Sequence, residues 1–158
     1  MASGIGGLMV AALAVSLAVP SHDPVPDPKY SPAQVVGIVL YALQHNDQPA
    51  RDHGIAITFA FASPANREST GPLDRFTLLV KNPDYRAMLG YRSAHRDRMD
   101  IVGVHARQRV TVIGASGETR VFIFMLSKQQ GGQYNGCWMT DGVVREPAPT
   151  LPPGVTTT

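Results

Sequence analysis

The first patterned segment of the chain is residues 31–47, where apolar positions repeat every three or four residues: Val35, Val36, Val39, Leu40 and Leu43. That spacing places these side chains on one face of a helix. Ser31 is a typical N-cap residue, Pro32 fits the first helical position, and Gln34 completes a capping box. We therefore predict a helix that starts at Ser31 and ends at Asn46 and Asp47.

The next apolar run has the two-residue period of a strand. Its large apolar residues alternate with small or polar ones, at Ile55, Ile57, Phe59 and Phe61. By periodicity alone, this segment is a half-buried strand.

Two steps into proline, Ser63-Pro64 and Gly71-Pro72, are typical of helix starts or turns. After the second step, four apolar residues form a helical stripe: Leu73, Phe76, Leu79 and Val80. The stripe predicts a helix that ends near residues 82–83. Residues 84–89 have room for one more helical turn.

The C-terminal half is patterned as strands in four segments, which are residues 91–101, 107–113, 119–127 and 136–144. We predict consecutive antiparallel strands. Residues 121–126 (VFIFML) are apolar at every position, as expected for a central strand covered on both faces. Helices followed by an antiparallel sheet predict an α+β domain whose helices cover one face of the sheet.

The last predicted strand contains the only cysteine and the only tryptophan of the chain. Neighbouring side chains of a regular strand point to opposite faces. This strand then carries Cys137, Met139 and Asp141 on one side and Trp138, Thr140 and Gly142 on the other. We predict that Cys137 packs in the core and that Asp141 bonds backbone groups where the strand ends.

Composition excludes several classes of protein. The 158 residues carry a formal net charge of only +2 and no run of lysines, so nucleic acid is not expected as a partner. One cysteine cannot form an internal disulfide, and the five histidines show no paired ligand spacing. We expect no metal site and no cofactor.

The two ends of the chain differ from its middle. Residues 4–20 contain no charged side chain and are predicted to be either a cleaved signal or a retained membrane anchor, since their length fits both. Residues 21–30 hold three prolines and are predicted to be an extended linker. A single domain follows at residues 31–146, and the Pro/Thr-rich residues 147–158 are an interaction strap or a disordered tail.

Weak catalytic candidates are the four residues Asp141, His95, Asp97 and Tyr91. In a regular first strand, Tyr91, His95 and Asp97 share a face, which permits an acid–base grouping. Because arginines flank this strand, a solvated surface is the competing interpretation. Ligand-pocket candidates are Trp138, Tyr91 and Asp141.

Basic residues are concentrated in residues 71–113, which hold eight basic and four acidic side chains. Such a surface fits anionic lipid headgroups or an acidic partner, and it fits a solvated sheet equally well. The candidate residues are Arg86, Arg92, Arg96, Arg98, Arg107 and Arg109. The polar stretch SPANR, residues 63–67, is interpreted as a capped turn that locks helices together, with a ligand-facing loop as the alternative.

Three blocks carry a resemblance to a known family: SPAQVV at residues 31–36, FASPANRESTGPLDRF at 61–76 and GCWMTDGV at 136–143. They resemble a family of unknown function from bacteria, algae and plants within the nuclear transport factor two-like superfamily. The resemblance implies a cone-shaped α+β fold in which helices wrap a curved sheet. It also implies that residues 54–62 are helix, and we adopt helix there.

Two functions remain open, because the superfamily includes both enzymes and non-catalytic proteins. The favoured hypothesis is a non-catalytic accessory subunit of a membrane-associated complex, with a thylakoid photosystem-type complex as one setting. Its contacts are protein subunits and, through residues 4–20, a membrane; a homodimer is left open. The alternative is an exported or lumenal small-molecule-binding protein, or an isomerase- or dehydratase-like enzyme, that uses the cone interior.

Overall fold

The computed structural model describes residues 22–147 of the chain. The predicted apolar segment at residues 4–20 and residues 148–158 of the predicted tail lie outside the described residues. Within residues 22–147, no helix combines the length and the hydrophobicity that crossing a membrane requires.

The described residues form an α+β domain, as predicted, with helices first and an antiparallel sheet afterwards. The helices are α1 (Pro32–Gln44), α2 (His53–Ala60), α3 (Pro64–Thr70) and α4 (Leu73–Lys81), followed by a 3-10 turn at Arg86–Met88. The strands are β1 (Ser93–Arg96), β2 (Asp100–Val102), β3 (His105–Ile113), β4 (Thr119–Lys128) and β5 (Trp138–Arg145).

Helix α1 begins with the predicted capping box. Gln34 N–H donates to Ser31 Oγ at 3.2 Å, and Ser31 N–H donates to Gln34 Oε1 at 2.8 Å. The apolar face is buried, with Val35 and Val36 fully inaccessible. Local capping and the helical apolar stripe thus agree, which fixes both the start of the helix and the face that it buries.

Helix α2 occupies the segment whose alternation is typical of a strand, so periodicity alone was wrong there. The helix implied for residues 54–62 is confirmed for residues 54–60, whereas Phe61 and Ala62 lie beyond its end. Every residue of α2 is buried or half-buried, and Ile55 is fully buried between neighbouring helices. A helix covered on most sides has no polar face, so the helical period is absent from its sequence.

The sheet has the order β1-β3-β4-β5, and β2 also pairs with β3. The first predicted strand, residues 91–101, is two short strands: Arg96 of β1 lies opposite Val110, and Asp100 of β2 lies opposite Arg107. Helices and sheet share one apolar core, which joins the buried face of α1 to Phe122, Phe124 and Leu126 of β4.

Strand β4 is not covered on both faces, which corrects the prediction for residues 121–126. Phe122, Phe124 and Leu126 are buried against the helices, whereas Met125 on the other face is 37% exposed. The helices cover a single face, so the outer face of this strand is apolar but accessible.

A β-bulge changes the faces of β5. Thr140 pairs with Leu126 and Gly142 pairs with Met125, which leaves Asp141 as the extra residue between them. Cross-strand partners share a face. Trp138 and Thr140 therefore lie on the helix side as predicted, but the bulge moves Gly142 to the outer face, opposite to its predicted side.

Candidate functional site

Helix α3 is fastened to β5 through backbone groups around Thr140. Thr140 N–H donates to Phe61 O at 2.8 Å, and Thr140 O accepts from Ser63 N–H at 2.8 Å. Asn66 Nδ2 donates to the same carbonyl at 2.9 Å. The segment that leads into α3 thus pairs with β5 as a short parallel bridge between Ala62 and Thr140.

Arg67 fixes the turn between α2 and α3 from the other side. Its Nε donates to Ala62 O at 2.9 Å, and its Nη2 donates to Ala60 O at 2.8 Å. The guanidinium also lies 5.0 Å from the ring centre of Tyr134. Bonds from a charged donor to carbonyls at a helix end are strong, so the SPANR stretch is the capped, locking turn that its composition predicts.

A cavity of about 400 Å³ lies between these helices and the sheet. Its deep lining is apolar and buried, and includes Val39, Leu43, Phe76, Val80, Met88 and Phe124. Four exposed lining residues mark its mouth, which are Ala65, Ser69, Leu79 and Asp141. The volume and the mainly apolar lining are typical of a small-molecule site.

Polar groups converge on the α3–β5 side of this cavity, at Ser63, Asn66 and Thr140, which we call the polar corner. The hydroxyl of Thr140 is buried and has no hydrogen-bond partner among the described residues. Ser63 is 1% exposed, and its Oγ accepts from Asn66 N–H at 3.3 Å, which leaves its proton to be donated. A buried hydroxyl without a partner costs about 1–3 kcal/mol, so the polar corner is an energetically unsatisfied part of the wall.

Asp141 is the one ligand-pocket candidate that lines this cavity, and it lies at the mouth. Its carboxylate accepts from Ser127 Oγ at 2.8 Å. The predicted bond to backbone groups at a strand end was wrong, because Asp141 lies at the bulge inside β5 and its side chain reaches the neighbouring strand instead.

The predicted grouping of Tyr91, His95 and Asp97 is not formed in the way that a regular strand would give. His95 Nε2 lies 3.5 Å from Asp97 Oδ1, but the His95 side chain is 81% exposed. Tyr91 precedes β1 and packs in the core at 9% exposure, where burial raises the pKa of its phenol. The histidine and the tyrosine therefore have opposite environments.

Trp138, the first residue of β5, and Cys137 just before it are both buried, and neither lines this cavity. Trp138 belongs to the apolar core shared by helices and sheet. Burial raises the pKa of the Cys137 thiol, which favours the inert protonated form. Core packing of Cys137 is confirmed.

The six candidate arginines do not share one face of the domain. Arg96 lies opposite the buried Val110, on the helix side, and its Nη1 donates to Ala33 O at 2.9 Å. Arg107 lies opposite Met125 on the outer face. Arg86, on the 3-10 turn, and Arg98, between β1 and β2, are exposed.

Two of these arginines bind other parts of the chain. Arg109 Nε donates to Glu146 Oε2 at 2.8 Å, and Arg92 Nε donates to Ala115 O at 3.0 Å. Besides contributing surface charge, both side chains thus join segments that are distant in the sequence.

A second hollow, of about 570 Å³, separates residues 22–30 from helices α1 and α2. Asp23 Oδ1 lies 2.8 Å from His53 Nε2 across it. Its rim includes the exposed residues Tyr41, Gln48 and Pro49. It is a surface groove, and among the described residues no group of three His, Cys, Asp or Glu side chains could hold a metal ion.

Sequence reasoning missed Thr140, the residue at the centre of the polar corner. Its only signal was a hydroxyl side chain on the inward face of a buried strand, next to Met139 and Trp138. Asn66 and Ser63 were recognisable as members of SPANR, but their position beside Thr140 depends on a contact between residues 74 positions apart in the sequence.

Comparison of the chain with protein-family models, with curated proteins and with solved structures found no significant match.

Proposed function

We propose that this domain binds a compact, mainly apolar small molecule in the cavity between its helices and its sheet. The observation that carries the proposal is the cavity of about 400 Å³, with a buried apolar floor, an exposed mouth and a polar corner. A cavity of roughly 150 Å³ holds benzene, so this one has room for a molecule of about 15 non-hydrogen atoms.

Binding is favoured over catalysis by the side chains that line the cavity. Among the described lining residues, Asp141 and Tyr85 are the ionisable ones, and Asp141 lies exposed at the mouth. Acid–base catalysis needs a positioned group at the reacting atoms, with a pKa adjusted by its surroundings. His95 on β1 and Asp97 just after it lie 3.5 Å apart and are not part of the lining.

The family proposal is that the chain is nuclear transport factor two-like, with a cone interior that corresponds to this cavity. It is supported by the three sequence blocks of the resemblance and by an α+β architecture whose helices lie against one face of an antiparallel sheet. Two of those blocks, at residues 61–76 and 136–143, meet at the polar corner. The blocks of the resemblance are thus the ones that build the candidate site.

The test is binding of two neutral bicyclic probes, tetralin and 1-tetralone, to the full-length protein, followed by ligand-observed NMR. Val143 lines the cavity, whereas its neighbour Val144 lies opposite Ile123 on the outer face and is 49% exposed. We expect Val143→Phe to weaken probe binding by at least about tenfold, since the added ring occupies ligand volume. Val144→Phe is the matched control and should bind as the wild type does.

The proposal is overturned if neither probe binds the wild-type protein, or if Val143→Phe binds both probes with wild-type affinity. Circular dichroism of both variants checks that each retains the fold. If Val143→Phe is folded and still binds the probes, the probes bind outside the cavity.

A second candidate function is protein binding through the outer face of the sheet. Four large apolar side chains are exposed there, with Val102 at 79%, Ile113 at 39%, Met125 at 37% and Val144 at 49% exposure. The hypothesis of an accessory subunit of a membrane-associated complex uses this face and stays a prediction. Native mass spectrometry of gently extracted protein tests it, because a partner chain should be lost from Met125→Lys and retained by Thr77→Lys, a change on α4.

A further inference from the structure

We infer that the ligand of the cavity carries a neutral hydrogen-bond-accepting oxygen, such as a ketone, aldehyde or ester carbonyl, and that the Thr140 and Ser63 hydroxyls donate to it. This inference rests on the proposed binding function and adds the chemistry of the ligand's polar end. It follows from the unsatisfied hydrogen-bonding capacity of the polar corner.

Several hydrogen-bonding groups of the polar corner already have partners within the protein. Asn66 Nδ2 donates to Thr140 O at 2.9 Å, and Thr70 Oγ1 donates to Asn66 O at 2.8 Å, with Asn66 Oδ1 3.2 Å from the same hydroxyl. The Thr140 carbonyl also accepts from Ser63 N–H. The Asn66 side chain and the Thr140 carbonyl thus already have partners within the protein, whereas the Thr140 hydroxyl has none among the described residues.

The Thr140 and Ser63 hydroxyls are hydrogen-bond donors toward a ligand. Thr140 is 6% exposed, and its hydroxyl has no partner among the described residues. Ser63 Oγ already accepts one bond, from Asn66 N–H, so its proton is the group left to bond. Ser63 N–H donates to Thr140 O at 2.8 Å, so the two residues are neighbours in the wall of the cavity. Two adjacent donors at one end of an apolar cavity match a single acceptor oxygen with two lone pairs.

The charge of the cavity lining restricts the ligand's polar group further. None of the described residues that line the cavity is Lys, Arg or His, and Asp141 lies at its mouth. A ligand carboxylate would be buried without a cation and would face the Asp141 carboxylate, which is unfavourable. An ammonium group would pair with Asp141 at the mouth rather than with the hydroxyls. A neutral carbonyl is the head group that both the donors and the absence of lining cations favour.

The inference is tested with four probes of one ring size: 1-tetralone, tetralin, 1-aminotetralin and 1-naphthoate. They carry a carbonyl, no polar group, an amine and a carboxylate. Affinities for the full-length protein are measured by ligand-observed NMR titration. We expect 1-tetralone to bind roughly tenfold more tightly than tetralin, because the hydrogen bonds satisfy buried donors.

Thr140→Val replaces the hydroxyl by a methyl group of similar size, and Thr140→Ser keeps the hydroxyl. We expect Thr140→Val to lose most of the preference for 1-tetralone over tetralin, and Thr140→Ser to retain that preference. The melting temperature of ligand-free Thr140→Val should equal or exceed that of the wild type, because the variant no longer buries a hydroxyl without a partner.

Each outcome separates this inference from the proposed function. Binding of no probe overturns the proposed function. Equal affinity for tetralin and 1-tetralone in the wild type leaves the cavity as a binding site and overturns the carbonyl inference. Tightest binding of the amine or of the carboxylate overturns it as well, and so does an unchanged preference in Thr140→Val.

Discussion

Gly54 lies where helix α2 crosses helix α1, and a methyl group at this position would collide with backbone. A Cβ built on Gly54 meets Ala42 O at 1.9 Å, Ala42 C at 2.6 Å and Asn46 Cα at 2.8 Å. These are backbone atoms of α1 and of Asn46, two residues after the end of α1, so no side-chain rotation can relieve the contact. The variant Gly54→Ala must therefore separate the two helices.

The size of the effect follows from the distances. An ordinary carbon–oxygen contact is about 3.4 Å, so the helices must separate by roughly 1.5 Å. Overpacking of this kind costs about 1–3 kcal/mol or more. The opening also strains the bonds from Gly54 N–H to Asn46 O (2.9 Å) and from Ile55 N–H to Asn46 Oδ1 (3.0 Å), each contributing about 1 kcal/mol. Alanine recovers about 1 kcal/mol of helix propensity.

The net expectation is a loss of about 3 kcal/mol in the free energy of unfolding, or roughly 12 °C in melting temperature for a domain of this size. Urea unfolding followed by circular dichroism measures it. Gly37→Ala is the matched control, because a Cβ on Gly37 in α1 meets only the end of a flexible side chain, Arg96 Nη1 at 3.1 Å. It should stay within about 1 kcal/mol of the wild type.

The reasoning is refuted if Gly54→Ala and Gly37→Ala unfold at the same urea concentration. That result would mean that the approach of α1 and α2 is looser than the backbone distances imply.

Three further changes test other parts of the molecule. Arg67→Lys should lose about 2 kcal/mol of unfolding free energy, because a lysine cannot donate to both carbonyls at the end of α2, and urea unfolding would show no loss if the fork of donors were unimportant. The hydrogen bond from Lys81 Nζ lowers the pKa of Asp52, so the stability advantage of the wild type over Asp52→Asn should be full at pH 7 and should decline as the pH falls below the ordinary carboxyl pKa of about 3.9 towards the lowered pKa of Asp52; an advantage as large at pH 2.5 as at pH 7 would contradict this role. Burial raises the pKa of Cys137, so at pH 7.5 a thiol reagent should label it far more slowly in native protein than in urea, and equal rates would show that the thiol is accessible.

Local sequence signals predicted the starts of α1 and α3 because capping is itself a local interaction. The bonds of Ser31 with Gln34, and of Ser63 with Asn66, span three residues each. A pattern of this length is readable without knowledge of the fold.

Features that depend on tertiary packing were not readable in the same way. Helix α2 carries apolar residues on several sides because it is surrounded by the rest of the domain, so its period resembled that of a strand. The bulge at Asp141 adds one residue to β5, and nothing in a strand pattern announces the change of face that follows.

The candidate site was predictable only in its parts. SPANR was recognised as a polar turn, and residues 136–144 were recognised as a strand. Their contact joins Asn66 to Thr140, and neither helical nor strand periodicity relates residues so far apart. The unpaired hydroxyl of Thr140 is a property of that contact, so it emerges only when the fold is assembled.

The bridge between Ala62 and Thr140 also sets an order of events during protein synthesis. The four helices are synthesised before β5, so the carbonyl of Phe61 has no bond from Thr140 N–H until β5 has been made. Until then the apolar side chains that the helices bury against β5 stay exposed. The cavity is therefore complete only once β5 has been synthesised and Thr140 has bonded to Phe61 and Ser63.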